Sequence, residues 1–209
     1  MWLIGSHILK NRASARFDMT PPNNSKRRKE LVAIAARLFY EQGYERTTVR
    51  MLADAMGIKS GSLFHHFNDK QEILCAVIQD GMESAMEIAR QALDGVADPK
   101  ERFLSLSKAH LSTLLNDRNA HVVALYEWRS LSDSSLDLLI GMRDEYENLW
   151  QKVIDECVEA GVLKGDVPLI RRFTLGALNW TVQWYDASGE KSSDDLAKAL
   201  AELMGMPAS

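Results

Sequence analysis

Cysteine is scarce in this chain: Cys75 and Cys157 are the only two in 209 residues. They lie far apart, each inside a helical pattern, which argues against a zinc knuckle or a disulfide framework and leaves them as buried spectators. Long apolar runs are missing too. No window approaches the roughly 20 consecutive apolar residues of a membrane-spanning helix. The opening MWLIGSHILKNR carries its apolar residues ahead of its charges, the reverse of a secretory signal. The expectation is a soluble, cytoplasmic protein with no membrane partner. The five histidines form no H-x-x-x-H pair, and there is no G-x-S-x-G elbow, Walker loop or G-x-G-x-x-G. Without catalytic, metal-ligand or cofactor signatures, the chain reads as a binding protein and not an enzyme.

Charge is plentiful but uneven. Residues 1–70 hold 12 Lys+Arg against 6 Asp+Glu, whereas residues 71–209 hold 13 against 23. A basic head on an acidic body suits a head that meets a polyanion. The hydrophobic content of 46% is ample for a core. Residues 1–24 end in MTPPNNS, whose prolines and asparagines forbid a helix and mark a flexible N-terminal arm. Arg12 and Arg16 belong either to an arm that enters a minor groove or to an unstructured tail.

Helical periodicity begins at SKRRKELVAIAARLFYEQGY, which puts Leu31, Ile34, Ala35, Leu38 and Phe39 on one stripe. Ser25 is placed to cap it and Gly43 to end it. FNDKQEIL offers Asn68 as an N-cap with Gln71 at the capping-box position, and a long amphipathic helix follows. Gly81 inside that helix implies a bend or a close packing contact. Further helices are expected near 99–116, 119–130, 133–160, 168–187 and 193–204, and nothing reads as a strand. The fold class is all-α, with a helix-turn-helix head over 25–72 and a larger effector-binding and dimerisation domain over 73–209.

The stretch TTVRMLADAMGIKSGSLFHHF contains two short apolar-periodic runs hinged on Met56, Gly57 and Ile58. Thr47 or Thr48 can cap the first, and Gly57 supplies the positive φ that ends it tightly. The second run, about Lys59 to His65, is too short to persist alone in water and must be held by its neighbours. Leu63 is its buried anchor, so Lys59, Ser60, Ser62 and His65 point outward. This is the pattern of a helix-turn-helix whose second helix enters a major groove.

The run GYERTTVRMLADAMGIKSGSLFHHFNDKQEIL resembles the DNA-binding domain of the TetR family of transcriptional regulators. It matches the family's Gly-aromatic, Thr-Thr, Gly-Ser-Leu-aromatic, His-Phe and Asp-Lys landmarks in order. By that resemblance Lys70 and Thr47 or Thr48 bind phosphate, Ser62 and His65 reach base edges, and Gly61 allows close approach of the backbone. His66 packs the fourth helix against the head. Lys59 stands where the family usually has a serine cap. Phe64 stands where it usually has a tyrosine whose hydroxyl bonds a phosphate. Lys26 and Arg27, in the KRRK of the first helical turn, oppose the helix dipole and make sense beside phosphates.

In the body, the helix over 133–160 has an inner stripe of Leu136, Ile140, Arg143, Tyr146, Trp150, Ile154 and Cys157. A guanidinium on an apolar stripe requires an internal carboxylate such as Glu147, a bound anion, or a helix bend that frees it to water. The segment VPLIRRFTLGALNWTVQWYDASG is apolar nearly all round and must be covered on both sides, by its own domain and by another subunit. With the final helix it would build the interface of a homodimer that reads a palindromic double-stranded operator.

EWRSLSDSS, MRDEYENLW and GALNWTVQWYDASGEKSSDDLA are similar to a TetR branch that controls fatty-acid, sterol and related lipid catabolism, whose typical effectors are acyl-CoA thioesters. That resemblance implies a repressor with an acyl-CoA pocket. Arg129, Arg143, Asn179 and Gln183 would serve as polar contacts, with Tyr146, Trp128, Trp150, Trp180 and Trp184 as walls; the tryptophans are equally at home in a core or an interface. The rival is a helical lipid or CoA carrier, or a small helical enzyme, with a vestigial head. A hydrophobic drug-like cation is the alternative effector.

Overall fold

The computed structural model describes residues 26–115 and 118–206. The arm over 1–24, with Arg12 and Arg16, the cap residue Ser25 and the side chain of Lys26 lie outside the described part. Every regular element among the described residues is a helix, and none is long and apolar enough to cross a membrane.

Helix α1 (Lys26–Gln42) ends at Gly43, whose φ of +81° lets its N–H donate to the Phe39 carbonyl at 2.9 Å. α2 (Val49–Ala55) is capped by Thr48, whose hydroxyl oxygen accepts from the Met51 N–H at 3.2 Å. Gly57, with φ +64°, turns the chain so that the Ile58 N–H returns to the Ala53 carbonyl at 3.0 Å. α3 is only four residues, Ser60–Leu63, shorter than the periodicity implies.

α4 (Lys70–Leu93) is capped by Asp69 and not by Asn68: the Asp69 carboxylate accepts from the Glu72 N–H at 2.8 Å. A charged acceptor suits the positive end of the helix better than an amide. Glu72 completes the reciprocal cap by accepting from the Asn68 N–H at 2.7 Å, which frees Gln71 for another task described below. α4 runs unbroken through Gly81. A Cβ there would lie 3.0 Å from the Ala120 carbonyl carbon and oxygen, so the glycine serves close packing and not a bend.

α5 (Pro99–Leu115), α6 (Arg118–Tyr126), α7 (Asp133–Glu159), α8 (Val167–Trp180) and α9 (Ser193–Leu203) complete the body. Two expected helices end early. The segment expected over 119–130 becomes a 3-10 turn at Glu127–Ser130, and that over 168–187 becomes one at Thr181–Gln183. In the second case the Thr181 hydroxyl donates to the Leu178 carbonyl at 2.7 Å, one of the side-chain bonds that compete with helix continuation. Apolar spacing of three and four is shared by both helix types, which hides the change.

Two cores form. The first joins α1, α2, α3, the N-terminal half of α4, α6 and the start of α7, around residues such as Phe39, Leu63, Ile73, Val123 and Leu139. The second lies among the C-terminal half of α4 and α5, α7, α8 and α9, around Phe103, Trp150, Ile154 and Ala197. α4 passes through both, so the head rests on the body through shared packing. Cys157 is buried and its thiol donates to the Pro99 carbonyl at 3.1 Å, while Cys75 is half-buried.

Candidate nucleic-acid interface and effector cavity

On the head, α2 and α3 meet across the Gly57 turn, and Leu63, fully buried, anchors α3 to α1 and α4. The opposite face of α3 is open: Lys59, Gly61, Phe64 and His65 are exposed, and Ser60 and Ser62 half-exposed. Lys59 occupies the cap position without a capping hydrogen bond, which leaves its ammonium available. Phe64 presents an aromatic ring with half its surface in solvent and no hydroxyl. His66 is half-buried, as the resemblance implies.

Other head residues are committed to the fold. Thr47 is fully buried, and its hydroxyl donates to the Gly43 carbonyl at 2.9 Å and the Leu38 carbonyl at 3.3 Å. Of the two threonines, Thr48 is therefore the one whose side chain reaches the surface. Lys70 sits over the Tyr44 ring, 4.0 Å from its centroid, and its ammonium donates to the Tyr44 carbonyl at 3.0 Å. It also reaches the Glu45 carbonyl at 3.5 Å, which leaves one of its three N–H donors beside the α1–α2 corner. Arg27 is exposed and pairs with Glu30 at 3.2 Å, and Arg28 packs on the Phe67 ring at 4.5 Å.

The body holds a cavity of about 50 Å³ between α4, α5, α6, α7 and α8. Gly81, Met82 and Ala85 form its α4 wall, and its polar lining residues are His110, Thr113, His121, Tyr146 and Asn179. The His110 ring is buried between Tyr146 and Asn179: Nε2 lies 2.9 Å from Asn179 Oδ1, and Nδ1 lies 2.9 Å from the Tyr146 hydroxyl. An amide oxygen only accepts, so Nε2 carries the proton and Nδ1 accepts from Tyr146. Burial, reinforced by nearby His121 and opposed by the Asn179 bond, lowers the His110 pKa to about 4. Burial likewise pushes the Tyr146 hydroxyl up to about 12. Both groups are neutral at physiological pH, which makes a polar but uncharged patch in an apolar wall.

Of the body residues singled out in the sequence, Tyr146 and Asn179 meet at this cavity. The others lie elsewhere. Trp150 is fully buried in the second core, its ring edge-on to His110 at 5.8 Å. Trp128 packs against the first core, and the Arg143 guanidinium lies 5.3 Å from its ring centroid. Arg143 is charge-paired within its own helix, with Glu147 3.7 Å and Asp144 3.3 Å away, although its buried Nε makes no hydrogen bond, and Glu147 also pairs with Arg171 of α8 at 3.1 Å. Arg129 is exposed. Gln183 donates to the Tyr126 hydroxyl at 2.7 Å, outside the cavity. Trp180 and Trp184 are exposed, at 63% and 54%. His110, Thr113 and Gly81 are cavity residues that sequence reasoning did not assign to it; a histidine on the apolar face of α5 was the available signal.

α8 carries one further feature. Leu169, Phe173, Gly176, Ala177 and Trp180 are all exposed at helical spacing, a continuous apolar stripe with Phe173 at 73%. α9, by contrast, turns Ala197 and Ala201 inward and exposes Leu203. Stripes of this size on a folded chain mark an interaction surface.

Comparison with known proteins fits both halves. Residues 31–77 match the model of the bacterial regulatory proteins of the tetR family, and residues 96–205 match the tetracyclin repressor-like C-terminal domain. The HTH-type transcriptional repressor KstR2 of Rhodococcus jostii is 34% identical over 203 residues, covering 89% of this chain and 96% of that protein. Among solved structures, the superantigen PfiT is 39% identical with a TM-score of 0.76, covering 88% of this chain and 98% of that one. The ketosteroid transcriptional regulator KstR2 of Mycobacterium tuberculosis is 29% identical with a TM-score of 0.76, over 90% and 98%. AibR in complex with isovaleryl coenzyme A and operator DNA has the same fold, at 20% identity and a TM-score of 0.79 over 86% and 98%. A helix-turn-helix head and a helical body each matched by its own family model, together with a repressor alike over nearly its whole length, identify this chain as a member of the TetR family of transcriptional regulators, which are not enzymes.

Proposed function

We propose that this regulator is a homodimeric repressor that binds a palindromic operator through residues 25–72 and is released when the body, residues 73–209, takes up an acyl-CoA thioester. The observation that carries the reading is the four-residue α3, pinned by one buried leucine with its other face open. Lys59, Gly61, Ser62 and His65 are the groups offered to a major groove. Lys59, Thr48 and Lys70 are the phosphate contacts, helped by Arg27.

Dimerisation is supported by the exposed stripe of α8, which two copies would bury against each other. An acyl-CoA is supported by the apolar cavity with its neutral polar patch, which suits a thioester carbonyl on an acyl chain, and by the bound ligand that AibR's description names. Ligand sites usually enclose about 300–1,000 Å³, several times this cavity's 50 Å³. Uptake therefore has to push α4 and α6 apart. α4 carries the head at its N-terminus, so the same displacement moves the two heads out of register with the operator.

The experiment is a mobility-shift titration of the operator with and without dodecanoyl-CoA. Lys59→Ala should weaken binding severalfold, and the thioester should release the wild type. A hydrophobic drug-like cation releasing the complex while thioesters do not would replace the proposed effector. Operator binding unchanged by Lys59→Ala together with Lys70→Ala would favour a lipid carrier with a vestigial head.

A further inference from the structure

A second hollow lies on the other side of α6 from the body cavity. It is a cleft of about 410 Å³ between the head and the body, bounded by α1 and the 43–46 corner on one side and by α6 and the 181–183 turn on the other. Its size falls within the range of small-molecule sites. Two tyrosines stand along it, Tyr40 at 39% exposure and Tyr126 at 41%.

Arg118 projects from the start of α6 into this cleft. Its Nη2 donates to the Val182 carbonyl at 3.3 Å, and its guanidinium lies 5.9 Å from the Tyr40 ring centroid. Its Nε is buried without a hydrogen-bond partner, and no carboxylate among the described residues pairs with it. A half-buried guanidinium in that state is costly, and an incoming anion relieves it. Arg46 lines the same cleft, and its Nε donates to the Gln42 carbonyl at 2.6 Å. Two carboxylates, Glu41 and Glu127, line the cleft as well and keep their negative charge, but neither stands within ion-pair distance of Arg118 or Arg46. Glu127 is occupied by the Tyr44 N–H at 3.1 Å and the Ser130 hydroxyl at 2.9 Å, and Glu41 is exposed.

We propose that this cleft is a binding site, separate from the body cavity, for a phosphate-bearing ligand of nucleotide size, with the phosphates on Arg118 and Arg46 and the aromatic ring against Tyr40. Guanidinium forks match phosphate oxygens, and ring stacking is the usual complement for a base. Head and body each supply one arginine, so an occupant bridges them and holds the head in its present orientation.

The test is calorimetric titration of the full chain with ADP, coenzyme A and adenosine. Both diphosphates should bind the wild type and adenosine at least tenfold more weakly. Arg118→Gln should lower diphosphate affinity tenfold or more, and Arg118→Lys should recover part of it. ADP binding at least as tightly as coenzyme A indicates a free nucleotide, and coenzyme A binding tenfold more tightly indicates the nucleotide end of a larger ligand. Should Arg118→Gln fail to fold, Arg46→Gln is read in its place. Absence of diphosphate binding, or equal affinity in wild type and the folded variants, would overturn the proposal. The DNA-binding reading is untouched by either outcome.

Discussion

His110 stands buried between Tyr146 and Asn179 with both ring nitrogens engaged, so the folded chain resists the proton that an unfolded chain accepts. Its pKa falls from the ordinary 6.5 to about 4. Unfolded chains protonate this residue below about pH 6.5 while folded ones stay neutral, so stability is lost as the pH drops toward 4 and nothing is lost above pH 7. By pH 5 the loss is about 2 kcal/mol. Urea melts at pH 7.5 and pH 5 should show this excess loss in the wild type and not in His110→Gln; equal losses in both would refute the assignment. Leu63 is the other residue on which much turns. Truncation to alanine should cost about 2–5 kcal/mol, and because Leu63 is the only buried residue of α3, operator binding should fall with it.

At the scale of elements, α4 and α6 decide how head and body communicate. Gln71 near the start of α4 donates to the Tyr44 hydroxyl at 2.9 Å and the Ser130 carbonyl at 2.6 Å, tying the head to the turn that follows α6. One turn short of Ala85, Gly81 lets α4 touch the backbone of Ala120, with the cavity on the same side. Gly81→Ala must force the two helices apart by a few tenths of an ångström, an overpacking that typically costs about 1–3 kcal/mol. Since that is the direction of the shift uptake requires, the variant should bind the operator more weakly than the wild type in the absence of thioester, and the further drop on adding thioester should be smaller. Unchanged release in a gel-shift titration would remove Gly81 from the mechanism. The helices themselves were legible from apolar spacing, and the glycine's packing role was one of two readings open to it. Where α6 and α8 relax into 3-10 turns was not legible, because local side-chain bonds such as Thr181 to Leu178 decide it. The cavity was half legible: Tyr146 and Asn179 lie on faces that periodicity identifies, whereas His110 becomes a partner only once α5 docks between α7 and α8. The placement of Trp180 and Trp184 depends on a tertiary surface that one chain's pattern leaves open.

At the scale of the whole molecule, a basic head is joined to an acidic body, and among the described residues α8 leaves a large apolar stripe uncovered. Phe173 is the most exposed residue of that stripe. Phe173→Glu would place a carboxylate at the centre of the proposed interface, so sedimentation should show a monomer where the wild type sediments as a dimer. Operator affinity should drop at least tenfold because the two half-sites are then bound independently. A variant that still sediments as a dimer would move the interface off α8. The central claim, that a short helix held on a positively charged head reads a DNA duplex, is tested most directly by the salt dependence of binding. Fluorescence anisotropy with a palindromic duplex selected from genomic DNA would follow affinity from 50 to 200 mM salt. If about 6–10 phosphates are neutralised, affinity falls about 10³–10⁵-fold over that range. An affinity that does not change with salt, or no duplex bound at 50 mM, would contradict it.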